Sequence, residues 1–254
     1  MQPAYQDPED AEEFLPIKQG YQFADSYCDR LTLLYSRPET QHLSRERWRA
    51  SEICTYRDRR KNVKHEYLVA TLKDNLGNIV LIRFERGVQG SVIESIVKSL
   101  FPIELEAGST SPPAGADSAK QEAVHEQKST KEAIDQISIV KPSDFNVTQV
   151  PVERVVFDPN NRVPSLPELI ILARAIGSYS RRYHLTQYNY SWFCYLAIEY
   201  LKRHYLYPRP HLTGRNDQAT WPATVHKKVD FEVLGKIYDR IWNDFKQGVC
   251  SIIH

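Results

Sequence analysis

The chain has 254 residues, and 33 Lys and Arg stand against 32 Asp and Glu, for a net charge of +1. It is long enough to bury a sizeable core without staples, and the near balance of charge excludes a global field that would recruit nucleic acid or an anionic membrane. Four scattered cysteines, Cys28, Cys54, Cys194 and Cys250, lack metal-ligand spacing, and only 10 glycines are present. No P-loop, GxGxxG, GxSxG or EF-hand spacing occurs, so no metal and no cofactor is expected.

The first twenty residues are acidic and polar, without the basic and apolar regions of a secretory signal. The longest apolar stretch, around Leu166–Ile176, is interrupted by Pro167, Glu168 and Arg174, so no membrane span is expected. Cys250 lies one residue too early for a prenylation box at the end of the chain. The expectation is a cytoplasmic protein with four reduced thiols, the nucleus being left open.

Phe23, Tyr27, Leu31 and Leu34 recur at three-to-four spacing and predict an amphipathic helix over Phe23–Ser36, closed by Pro38. The segment Ser44–Lys64 is basic: Arg45, Arg47, Arg49, Arg57, Arg59, Arg60, Lys61 and Lys64 outweigh Glu46, Glu52 and Asp58. Trp48 and Tyr56 interleave with these charges, a pattern that suits phosphate neutralisation plus base stacking. No recognised nucleic-acid motif accompanies it, so a solvated charged face is the simpler reading and nucleic acid the lesser alternative. Two strand-like runs follow, His65–Leu72 and Ile79–Phe84, joined by the turn-rich Lys73–Asn78 as a hairpin. Ser91–Leu100 reads as a short helix or an irregular strand.

Between Glu106 and Ala133 only Val124 is apolar beyond alanine. Such a stretch buries too little surface to offset its ordering entropy and is predicted to be a disordered insertion. Beyond it, Val150–Phe157 is a third strand candidate. Ser165, Pro167 and Glu168 then form a helix-start signature ahead of Leu169, Leu172, Ala173, Ile176 and Tyr179. Two more helices are expected, from about Tyr190 to His204 and over Asp230–Phe245.

The organisation is therefore an acidic extension over 1–22, a first half over 23–105, the insertion over 106–133, and a second half over 134–254 completing the same domain. The fold class is α+β: a small antiparallel sheet drawn from both halves and packed by C-terminal amphipathic helices. The many tyrosines of the last third are expected to line a helix–sheet seam.

His65-Glu66 begins like a zinc-protease box, but Val69 stands where its second histidine belongs. One constellation with possible chemistry remains. His65 opens a strand, and Asn189-Tyr190-Ser191-Trp192-Phe193 opens an apolar helix. A thiol at such a helix start would be activated by the exposed N–H groups and the dipole, with a strand histidine as base. The motifs His65–Val69, Ile82–Arg86 and Tyr188–Phe193 resemble a group of uncharacterised mushroom-type (basidiomycete-type) fungal proteins. That group in turn is similar to the circularly permuted papain-like fold of lecithin:retinol acyltransferase and NlpC/P60 relatives. The resemblance covers roughly His65–Glu85 and Leu166–Tyr205. It implies that His65 matches the base and that Asn189 precedes the nucleophile position.

Position 190 is tyrosine, whose reference pKa of about 10 makes it a poor nucleophile at neutral pH. Cys194 lies one turn deeper, about 6 Å along the helix axis, where packing as a small apolar residue explains it. The expectation is a non-catalytic binding or regulatory protein, a pseudoenzyme whose partner, protein or small molecule, is unknown. Asn189, Tyr190, Ser191 and Trp192 would line its binding pocket. Two alternatives stay open: an active acyltransferase or hydrolase using His65 with Cys194, and a nucleic-acid-associated protein using Arg45–Lys64.

Overall fold

A computed structural model of the chain describes residues 22–36, 48–58, 65–88, 131–145, 149–183, 190–206 and 229–251. In chain order these form β1 (Gln22–Phe23), α1 (Ala24–Ser36), β2 (Arg49–Asp58), β3 (His65–Lys73), β4 (Ile79–Val88) and β5 (Lys131–Val140). After a 3-10 turn at Pro142–Asp144 come β6 (Gln149–Val156), α2 (Leu166–Tyr179), β7 (Arg182–Tyr183), α3 (Tyr190–Leu201) and α4 (Phe231–Ser251). The strands make one antiparallel sheet in the order β1-β5-β4-β3-β2-β6, with β7 paired to β5. Strands from before and after the long central stretch lie side by side, as the α+β reading requires. No described helix is long and apolar enough to cross a membrane.

Local chemistry sets the hairpin. Asp74 Oδ1 accepts hydrogen bonds from the backbone N–H of Leu76 and of Asn78, both at 2.9 Å, and Gly77 takes φ +86°. That is a side-chain-stabilised turn in which only glycine adopts the left-handed residue without strain. The start of α2 is as the sequence indicates. The Glu168 carboxylate accepts from both the N–H and the hydroxyl of Ser165 at 2.8 Å. Burial pushes the Glu168 pKa up, but bonds from Ser165, Arg162 and Tyr205 outweigh it and hold the group below its ordinary value.

Period-two alternation gives the sheet two faces. Leu68, Ala70 and Leu72 of β3 and Val80, Ile82 and Phe84 of β4 point into the main core with the helices, whereas Tyr67, Val69, Ile79 and Leu81 form a second, smaller cluster on the other face. α3 packs on β3 and β4, and α1 and α4 pack against α2. Between sheet, α2 and α3 the packing leaves a void of only about 20 Å³. The tyrosines tie helices to one another more than to the sheet: Tyr200 meets Tyr238 of α4 at 5.3 Å, and Tyr179 stacks near Trp192 of α3 at 6.2 Å.

Two expectations need correction. The middle of the basic segment is no solvated face: Arg49–Asp58 is β2, an interior strand between β3 and β6. The predicted insertion also ends too late, since Lys131–Ala133 open β5. Residues 106–130 and Ser91–Leu100 lie outside the described residues. Both strands are half charged or polar because one face of each is free of helices, so composition hid what alternation carries.

Candidate functional site

His65 opens β3 at the end of the sheet where α3 begins, and the structure brings it to Tyr190. Their ring centroids are 4.3 Å apart at an interplanar angle of 48°. His65 is 6% exposed. Its Nε2 lies 3.3 Å from Glu85 Oε2, and Glu85 is itself paired with Arg83. The Arg83 guanidinium lies 3.9 Å over the Tyr67 ring. A strand histidine thus lies within ion-pair distance of a carboxylate from the neighbouring strand and faces a helix start, the pair of groups from which an acid–base site could be built. The side chain that the helix start sets against this imidazole is a phenol, Tyr190, and not a thiol.

Cys194 is not placed to act as a nucleophile with His65. It is wholly buried, and among the described residues no hydrogen bond joins it to His65. Burial raises its pKa well above the ordinary thiol value, and the charges of Glu66 and Glu85 push the same way. A thiol kept neutral and away from solvent is inert. Ser191 and Trp192 are 5% and 2% exposed, so they belong to the core and not to the wall of an open pocket. Asn189 lies outside the described residues.

Beneath the helix start is a buried cation that no local spacing rule singles out. Arg86 is fully buried, 3.3 Å from Asp135 Oδ1, donates to the Ser180 carbonyl at the end of α2, and lies 5.3 Å from the Trp192 ring. Burial raises Asp135 to about 6, against the opposing charge of Arg86. Its carboxylate occupies space that a side chain on Gly177 would invade, which accounts for glycine inside α2. The sequence signal was present: Arg83, Glu85 and Arg86 interrupt a strand whose other residues are apolar, and each is tied to a partner.

The nucleic-acid alternative loses most of what can be placed. Trp48 is 2% exposed and unavailable for stacking. Arg57 is held by the buried Glu66, with Nε 2.7 Å from Oε1. Arg49 is exposed. Arg45, Arg47, Arg59, Arg60 and Lys61 lie outside the described residues. Among the described residues no group of His, Cys, Asp and Glu is arranged to hold a metal ion.

Comparisons with protein-family models, with curated proteins and with solved structures found no match to this chain.

Proposed function

We propose that the chain is a non-catalytic binding or regulatory protein of the cell interior, built on the frame of a papain-like thiol enzyme that has lost its thiol. One observation carries the reading: the Tyr190 ring is tilted against His65 at the helix start, where the compared fold has its thiol, and the Glu85 carboxylate lies 3.3 Å from the imidazole. Cys194, sealed and with a raised pKa, weighs against the alternative of an active acyltransferase or hydrolase. A buried Trp48 and a paired Arg57 weigh against nucleic acid.

Thiol reactivity tests it. With iodoacetamide at neutral pH, the exposed Cys250 should label at an ordinary thiol rate and the buried Cys28, Cys54 and Cys194 far more slowly. The variant Tyr190→Cys should place a thiol beside the imidazole that labels faster than Cys250 and slows again when His65→Ala is added. If that introduced thiol reacts no faster than Cys250, the frame is not of the thiol-enzyme kind. If Cys194 of the unmodified protein labels fastest and depends on His65, the protein is an enzyme and the proposal fails.

A further inference from the structure

The face of the sheet that turns away from the helices carries a groove of about 380 Å³, within the usual size range of small-molecule sites. Its shape originates in β2. The register of that strand shifts against β3 between Ala50 and Glu52, and against β6 between Thr55 and Tyr56. Each shift bends the strand and increases its twist. Cys54, Val69 and Leu81 form an apolar floor. The 3-10 turn Pro142–Asp144 brings Phe145 back over this floor, where its ring meets Tyr56 at 5.2 Å and 45°, so two aromatic rings wall one side.

The charges at the rim are unequal. Two charged side chains line the groove, Glu52 and Lys73. Glu52 is neutralised by Arg154, whose Nη2 is 2.6 Å from its Oε2. Lys73 is exposed and, among the described residues, has no ion pair. A small apolar floor, an aromatic wall and an ammonium that has no ion pair among the described residues suit a flat ring with a single anionic group.

We propose that this groove binds a small aromatic carboxylate, its ring against Tyr56 and Phe145 and its carboxylate on Lys73. The site is separate from the His65–Tyr190 pair and stands whether or not the chain descends from a thiol enzyme.

Calorimetric titration of the full chain with 2-naphthoate tests this, with neutral 2-naphthylmethanol and the non-aromatic cyclohexanecarboxylate as controls. Naphthoate should bind about tenfold tighter than the alcohol, the difference one charge-assisted contact makes. Lys73→Met should remove that advantage while leaving the alcohol unchanged. Phe145→Ala should weaken both aromatic probes about fivefold, the scale of one lost ring contact. An absence of naphthoate binding at millimolar concentration, or an affinity indifferent to Lys73→Met, overturns the site. Equal binding of cyclohexanecarboxylate overturns its aromatic preference. Lys73 is exposed and makes no ion pair among the described residues, so its variant is expected to keep the fold.

Discussion

On its helix side the sheet presents Ile53, Leu68, Ala70, Leu72, Val80, Ile82 and Phe84 to a continuous core. On the other side the same strands present Cys54, Tyr56, Tyr67, Val69, Leu81, Arg83 and Glu85. The first face is close-packed hydrocarbon whose role is to hold the helices. The second is aromatic and polar, and its rings run in sequence from the groove to the helix start. Phe145 meets Tyr56 at 5.2 Å, Tyr56 meets Tyr67 at 5.9 Å, Tyr67 meets His65 at 6.1 Å, and His65 meets Tyr190 at 4.3 Å. The difference teaches that one set of strands can carry a close-packed hydrocarbon face on one side and leave a more polar, grooved face on the other. Substitutions should therefore divide by face.

The largest effect is expected at Arg86, the fully buried cation of the helix side. Arg86→Met leaves Asp135 and the Ser180 carbonyl without their donor, and breaking a buried pair of this kind costs about 3–5 kcal/mol. Urea unfolding would measure it, and a loss under 1 kcal/mol would show that this pair does not anchor the helix side. The same pair gives that face a pH dependence. Asp135 has a folded pKa raised to about 6, above its unfolded value of about 3.9. The native state therefore binds the extra proton between these two values. Its contribution to stability is full below about pH 4, is lost as pH rises to about 6, and amounts to about 3 kcal/mol. Asp135→Asn should flatten that slope over pH 4–6 and leave the region above 7 without one.

Next comes the contrast between faces at constant chemistry. Leu72 and Leu81 sit on neighbouring strands, the first wholly buried under helices and the second 8% exposed beside the groove. Leu72→Ala should fall near the top of the roughly 2–5 kcal/mol range for such truncations, because its surroundings cannot collapse. Leu81→Ala should fall near the bottom. Equal losses by thermal or urea unfolding would erase the distinction between the two faces. The smallest effect is at the groove rim. Lys73→Met should change stability by no more than about 0.5 kcal/mol, as expected of an exposed side chain.

Much of the scaffold is legible in local sequence. The helix over Ala24–Ser36, the Asp74–Asn78 turn and the Ser165–Glu168 helix start depend on contacts within a few residues, and spacing rules read them directly. α4 covers the helix expected over Asp230–Phe245, with Leu234, Tyr238, Ile241 and Phe245 buried and Phe231 and Trp242 partly so, and then runs on to Ser251. The strands β2 and β5 were harder. Arg57 and Glu66 look like solvated charges until the register sets them opposite each other. Lys131–Ala133 look like the tail of a polar insertion until they pair with β4 and β7.

At the candidate site the division is sharper. The sequence alone determined that a histidine opens a strand, that a tyrosine opens a helix, and that no cysteine stands at that helix start. It could not say that His65 and Tyr190 touch, because more than a hundred residues separate them and only the packing of α3 on β3 and β4 closes the distance. Nor could it select Glu85, Arg83 and Arg86 as partners, since ion pairs across strands depend on register. The groove is further still from the sequence. It arises from two register shifts in β2 and a turn that returns Phe145 to the sheet, and such curvature belongs to the assembled strands, not to any one of them.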